Sequence, residues 1–324
     1  MHAIIPVAGV GTRLRPHTHT LPKVLLNVAG KPILGHILDK LLEEGVTSAT
    51  IIVGYYGELV EEYVRANYSF DVRFVEQPVR EGLGHSVYLA RETFGETPLL
   101  IILGDTIFNV DLRPVLASEY SSLGVKTVED PRRFGVVEME GEFVSHLVEK
   151  PEVPPTNLAI VGLYFIKNPA LLSECLEDLV HNDRRTRGEY QLTDALQMMI
   201  ERGEKFTTFP VDSWFDCGKP ETLLETNRDL LDRIKSSVEI PGVVINHPVS
   251  IDPTAEITGS IIGPHTTVAR GAVIRDAIVR DAIVGEEAMV EGVVLSGSII
   301  GNSAQVHGNA GQLNIGAHSE VRIG

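Results

Sequence analysis

Residues 3–23 read Ala3-Ile4-Ile5-Pro6-Val7-Ala8-Gly9-Val10-Gly11-Thr12-Arg13-Leu14-Arg15-Pro16-His17-Thr18-His19-Thr20-Leu21-Pro22-Lys23. The apolar run Ala3 to Val7 predicts a buried strand. Ala8, Gly9, Gly11 and Thr12 then form a loop of small residues, where a phosphate can approach the backbone. Successive N–H groups in such a turn make an anion-binding concavity. Arg13, Arg15 and Lys23 place three fixed cations beside it. Two familiar glycine motifs do not fit. A P-loop needs Gly-Lys followed by Ser or Thr, and Gly11 is followed by Thr12-Arg13. The dinucleotide fingerprint needs a third glycine where Leu14 stands.

Working outward, Ile33, Leu34, Ile37, Leu38, Leu41 and Leu42 share one helical face after Pro32, and Gly45 ends that helix. Ala49 to Val53, Val72 to Val75 and Pro98 to Leu103 are apolar strand segments, and a helix is predicted over 57–66. Alternating strands and helices predict an α/β fold, a Rossmann-like, mostly parallel sheet with helices on both faces. Ligands of such sheets bind beyond the carboxyl ends of the strands. Gln77, which can donate and accept at once, follows the third strand and suits one edge of a pyrimidine. Gly82 would let a flat base lie against the backbone. Asp105 stands at the tip of the most apolar strand, where a carboxylate suits Mg²⁺ together with phosphate oxygens and water. Asp216, at the end of a later strand, is its natural partner. Asp111 reads as a helix N-cap. His17 and His19 read as part of a solvated loop.

Ala8-Gly9-Val10-Gly11-Thr12-Arg13-Leu14, with Pro22-Lys23 seven residues on, resembles the signature of the sugar-1-phosphate nucleotidylyltransferases. Later landmarks follow in that family's order, so the resemblance covers about residues 1 to 235. It implies an enzyme that joins a nucleoside triphosphate to a sugar 1-phosphate, with Mg²⁺ held by Asp105 and Asp216. It further implies that Arg13 and Lys23 act on the phosphates and that Gln77 and Gly82 select the base. In Phe134-Gly135-Val136-Val137-Glu138 and Val148-Glu149-Lys150-Pro151, Gly135 and Glu149 would bind sugar hydroxyls and Lys150 the sugar phosphate. Val161-Gly162 would line the pocket, and Arg187, before Gly188-Glu189, would hold the sugar phosphate. Gly84-His85 and Phe215-Asp216-Cys217-Gly218 resemble the uridylyl enzymes; Gly218-Lys219-Pro220-Glu221 resembles the thymidylyl ones. UTP and dTTP therefore both stand, and glucose 1-phosphate is the family's usual sugar. A sugar-nucleotide-binding module without catalysis, and an acyltransferase activity in the C-terminal segment, are the rival readings.

Beyond about residue 236 the composition shifts to Val, Ile, Gly and Ala. Ile262-Gly263-x4-Val268, Val284-Gly285-x4-Val290, Ile300-Gly301-x4-Val306 and Ile315-Gly316-x4-Val321 share a six-residue spacing, as do Ile251 and Ile257. One aliphatic every six residues is the mark of a hexapeptide β-helix, here about four turns. The resemblance makes it left-handed. The expected organisation is a nucleotidyltransferase domain over 1–236 and a β-helix over 237–324. An open end of a β-helix needs a cap or a neighbour, so homo-oligomer contacts are expected there.

The net charge of −16, with 44 acidic against 28 basic residues, argues against a nucleic-acid partner. Two cysteines without paired spacing, Cys175 and Cys217, predict neither disulfides nor a zinc site and fit a reducing cytoplasm. No signal peptide and no membrane span are read from the sequence.

Overall fold

The computed structural model describes residues 1–234, 237–308 and 312–323. The chain forms two compact units, residues 1–9 with 37–214 and residues 10–36 with 215–324. The expected boundary at Ser236 lies outside the described residues.

The first unit is built on a nine-stranded sheet. Its strands in chain order are β1 (His2–Pro6), β2 (Ser48–Val53), β3 (Asp71–Glu76), β4 (Leu99–Ile102), β5 (Ser121–Thr127), β6 (Gly135–Glu140), β7 (Phe143–Glu149), β8 (Leu158–Ile166) and β9 (Phe206–Pro210). Seven of them lie in the order β7-β6-β8-β4-β1-β2-β3, and β5 pairs with β8 and with β9. β1 runs parallel to both β2 and β4. The chain moves from β1 outward to β2 and β3, then returns to the other side of β1 as β4. That reversal is the switch point at which a crevice opens beyond the strand ends. β8 is antiparallel to β4, β5 and β6, so this half of the sheet is mixed.

The helices follow the apolar spacing. α1 (Ile33–Glu43) buries Ile33, Leu34, Ile37, Leu38 and Leu41. α2 is Gly57–Asn67, α3 Leu83–Leu89, α4 Pro169–His181 and α5 Leu192–Glu201. α4 is capped by Asn168, whose side chain accepts from the Leu171 N–H. α4 and α5 bury Leu172, Cys175, Leu176, Leu179, Leu192, Leu196 and Met199 in one core with Ile4, Leu99, Ile101 and Phe206. Asp111 departs from expectation: the N-cap of its short helix is Leu112, while the Asp111 carboxylate accepts from the backbone N–H and guanidinium of Arg113.

In the second unit, α6 (Pro220–Arg233) leads toward a stack of parallel coils, the β-helix expected from the spacing, left-handed as the resemblance implied. On one face Glu256 pairs with Val273, Val273 with Met289, Met289 with Gln305 and Gln305 with Glu320. These steps of 17, 16, 16 and 15 residues give five rungs on that face among the described residues, one more than the turns expected. Three aliphatic columns fill the interior: Ile251-Val268-Val284-Ile300-Ile315, Ile257-Ile274-Val290-Val306-Val321 and Ile245-Ile262-Val279-Leu295.

The repeat therefore has a phase that spacing did not reveal. Val284-Val290, Ile300-Val306 and Ile315-Val321 each run from the first column to the second, whereas Ile262-Val268 runs from the third to the first. A six-residue step joins any two neighbouring faces, so it marks corners without numbering them.

One buried amide ties this unit together. Asn227 of α6 has no exposed surface. Its Oδ1 accepts from the Ala29 N–H at 2.9 Å and from the Thr267 hydroxyl at 2.7 Å, and its Nδ2 donates to the His265 carbonyl at 3.1 Å. Arg228 beside it holds both carboxylate oxygens of Asp281. No described helix is long and apolar enough to cross a membrane. Asn227→Leu strands two donors and an acceptor from two segments, each worth about 1–3 kcal/mol. Chemical denaturation should show the second unit destabilised by about 3 kcal/mol or more, and the first unit's transition unmoved.

Candidate functional site

In the first unit the predicted residues gather at the carboxyl ends of the central strands. The Val7 N–H donates to Ile52 O at 2.8 Å and the Gly104 N–H to Pro6 O at 3.1 Å, so the ends of β1, β2 and β4 are laced together. Ala8 and Gly9 leave from this edge, and Asp105 lies at it, half-buried. Next to it, β8 bulges between Ile160 and Tyr164. Gly162 stands in that bulge at φ +80, where a Cβ would come within 2.9 Å of Leu103 Cγ and 3.0 Å of Thr106 Oγ1. The Leu103 N–H donates to Gly162 O at 3.0 Å, and Val161 beside it is buried.

Gly135 and Glu149 face each other across β6 and β7. The Glu149 carboxylate is anchored at both oxygens, accepting from the Thr193 hydroxyl at 2.6 Å and from Lys150 Nζ at 2.9 Å. Lys150 has left-handed backbone, φ 44, and its N–H donates to Phe134 O at 3.0 Å. A non-glycine residue held there marks a turn that its surroundings enforce. Burial first, then the charges of Glu149 and Asp105, hold the Tyr164 phenol above its ordinary range, so both carboxylates act on one locality. Burial and then the Glu149 charge push the Asp194 carboxyl up against a lowering hydrogen bond from Thr186. The Trp214 indole meets Phe134 edge-on at 5.3 Å, and its Nε1 is buried with no protein acceptor. A buried donor in that state suits a ligand oxygen.

A second cluster in the same unit surrounds Gln77. Gln77 is buried, and its Nε2 donates to Gly82 O at 3.3 Å and lies 3.4 Å from His85 Nδ1. Gly82 has φ +108, and a Cβ there would come within 2.5 Å of Tyr190 O. The Gly84 N–H donates to Tyr190 O at 2.8 Å and the Tyr190 N–H to Glu81 O at 2.7 Å, so residues 81–84 and 190 are stitched by backbone. Arg185 completes the seam with Glu81 at 2.7 Å, Asp183 at 2.6 Å and the Tyr190 hydroxyl at 2.8 Å, its guanidinium 4.0 Å from the Tyr190 ring centre. Arg187 lies elsewhere: Thr186 and Glu189 pair across a tight hairpin whose tip is Arg187-Gly188, both with positive φ. The basic run thus divides between Arg185, braced in this seam, and Arg187 at the hairpin tip. Thr193 and Arg185 were not singled out from the sequence. Thr193 lies in the run Gly188-Glu189-x-x-x-Thr193-Asp194 directly after the basic stretch, and that spacing is the available signal.

In the second unit the loop after Gly9 winds tightly. Gly11 is left-handed (φ 65), and its carbonyl accepts from the Leu14 N–H at 2.9 Å and the Thr18 hydroxyl at 2.9 Å. A Cβ on Gly11 would lie 3.0 Å from Lys23 Cβ. Lys23 is 7% exposed, and Arg13 and Thr12 are exposed. A Cβ on Gly218 would come within 2.7 Å of Asp216 Oδ1 and 2.8 Å of Arg13 Nη2, so the structure brings Arg13 and Asp216 to one small residue. His17 corrects the expectation of a solvated loop. It is 4% exposed, its Nε2 lies 2.6 Å from Asn314 Oδ1, and burial keeps its pKa below the ordinary value. Among the described residues no group of three or more His, Cys, Asp and Glu could hold a metal ion. Asp105 in the first unit and Asp216 in the second are each hard carboxylate donors of the kind Mg²⁺ prefers.

The Nucleotidyl transferase family matches residues 2–233. The chain is 35% identical to the low-salt glycan biosynthesis nucleotidyltransferase Agl11 of Haloferax volcanii, over 72% of this chain and 66% of that protein. It thus spans just under two thirds of that relative's length. It is 32% identical to a glucose-1-phosphate thymidylyltransferase of Streptomyces antibioticus, covering 100% of this chain and 99% of that one. Among solved structures, a UDP-glucose pyrophosphorylase complexed with UDP-glucose superposes with a TM-score of 0.63 at 25% identity, covering 72% of this chain and 99% of that chain.

Gly82→Ala would combine a strained backbone with a collision against Tyr190 O, at a cost of about 2–4 kcal/mol. Thermal melting should fall by several degrees, whereas the same change at Gly9, with open space around it and no left-handed backbone, should move it little.

Proposed function

This chain belongs to the nucleotidyl transferase family, and from that premise we propose that it is a sugar-1-phosphate nucleotidylyltransferase. It joins dTTP or UTP to a hexose 1-phosphate, glucose 1-phosphate first among them, giving an NDP-sugar and diphosphate. The observation that carries the reading is the tight loop that packs Gly11 against Lys23 and sets Arg13 with Asp216 against Gly218. Small residues leave the backbone open there, and cations surround it, as a triphosphate requires.

An oxygen of the sugar phosphate attacks the α-phosphorus in line. The new phosphorus–oxygen bond forms as the bond to the bridging α–β oxygen breaks, and diphosphate leaves with that electron pair. The attacking oxygen is already ionised, so no side chain becomes a covalent intermediate. Catalysis then rests on alignment and on charge neutralisation. Arg13 neutralises the β- and γ-phosphates. Lys23 meets the α-phosphate as charge builds on it. Ala8, Gly9, Gly11 and Thr12 line the phosphate loop. Gln77 and Gly82 hold the base, while Glu149, Gly135, Val161 and Trp214 hold the sugar. Lys150 and Arg187 meet the sugar's phosphate. The family's transfer uses a divalent metal ion; Asp105 and Asp216 would hold Mg²⁺, which supplies Lewis-acid neutralisation of the phosphate oxygens when bound.

The functional division is 1–236 for catalysis and 237–324 for the β-helix. We assign the β-helix to self-association in a cytoplasmic homo-oligomer. Val244, Ile261, Ile278 and Val294 are successive register partners on one face. Three of them are 57%, 37% and 46% exposed, a column of aliphatics that a second copy would cover.

Lys23→Ala and Asp105→Asn should each lower turnover by roughly 10²-fold or more with unchanged circular dichroism; near-normal diphosphate release by either variant removes that residue from the mechanism. A panel of the four NTPs and dTTP against several hexose 1-phosphates identifies the substrates, and turnover of none would leave a binding module. Val294→Asp in the full chain should reduce the mass seen by light scattering; an unchanged mass would reassign the column.

A further inference from the structure

The loop that carries Lys23 is braced from an unexpected direction. Pro16 and His17 meet the last described coil of the β-helix, nearly three hundred residues further along the chain. His17 Nε2 lies 2.6 Å from Asn314 Oδ1, and since that oxygen can only accept, the imidazole donates. One residue beyond Ile315, Gly316 packs against Pro16 so closely that a Cβ on it would come within 2.8 Å of Pro16 Cβ. His17 and Thr18 are 4% and 1% exposed, so the segment is docked here and not merely passing. From Thr18 the contact continues inward: its hydroxyl donates to Gly11 O at 2.9 Å, its Cγ2 stands 3.1 Å from where a Gly11 Cβ would be, and Lys23 Cβ closes the other side at 3.0 Å.

We infer that the terminal coil of the β-helix is a positioning device for the nucleotide loop, with Asn314 and Gly316 setting the conformation of Gly11 and Lys23 through Pro16, His17 and Thr18. The inference rests on the reading of that loop as the triphosphate site. It gives the β-helix a part in nucleotide affinity besides self-association. The loop has little internal structure to hold it beyond short 3-10 turns at Thr12–Leu14, His17–His19 and Lys23–Leu25. A loop of that kind samples many conformations unless something outside it selects one, and each rejected conformation lowers apparent affinity. The stacked coils supply a rigid platform, because the Ile315 rung is pinned to Ile300, Val284 and Val268 in one continuous aliphatic column.

The test uses the full chain and two positions outside the catalytic machinery. Asn314→Leu removes the acceptor, and Gly316→Ala pushes Pro16. Each should raise the KM for the NTP about fivefold, the size of one lost hydrogen bond, with kcat and the KM for the sugar 1-phosphate within twofold of the parent. Hydrogen exchange should quicken at residues 11–19 alone, and Asn314→Asp, which keeps an acceptor for His17, should restore both readouts. Unchanged exchange at residues 11–19 in both variants would overturn the coupling. So would faster exchange throughout the chain without rescue by Asn314→Asp, which signals a structural role only. A parent enzyme inactive with every NTP would overturn the nucleotide reading, while the exchange pattern would still decide the coupling.

Discussion

A carboxamide sealed from water must find every partner inside the protein, and Asn227 does so from two distant segments. Its oxygen takes a backbone N–H from the turn at Ala29 and a hydroxyl from Thr267, and its nitrogen gives to the His265 carbonyl. Leaving any of these groups unmet would cost more than the bond itself contributes. The arrangement therefore specifies a geometry as well as adding stability. It makes the early loop, α6 and the β-helix one body, and that body carries Arg13, Lys23 and Asp216.

The first unit solves a different problem, that of bringing backbone close to backbone. Gly82 and Gly84 allow the segment after Gln77 to lie directly on Tyr190 and Gln191. Gly162 lets β8 bulge where it meets the end of β4 and the middle of β5. Each removes a side chain where a β-carbon would collide, and the polar groups that remain are braced by neighbours. Glu149 is held by Thr193 and Lys150, and Gln77 by Gly82. Rigid placement of such groups is what allows a site to favour a transition state over its substrates.

The charge balance fits this picture. A chain of net charge −16 keeps its few buried or braced cations for particular tasks. Lys23 is buried in the loop, Arg185 is locked in a seam, and Arg228 is spent on Asp281. Counting basic residues in a run could not separate these duties, because Arg185 and Arg187 differ by two positions and by everything around them.

What the sequence determined by itself was local and periodic. The apolar runs made the parallel strands, helical spacing made α1, and six-residue spacing made the coils, because each pattern follows from the geometry of its own element. The glycine loop and its cations were legible for the same reason, being contiguous. The tertiary structure alone decided the phase of the coils, since a six-residue step looks alike at every corner. It alone joined His17 to Asn314 and Asn227 to Ala29 and Thr267, contacts between distant segments that no spacing encodes. A histidine in a polar loop reads as solvated until the chain that covers it, nearly three hundred residues later, is folded into place.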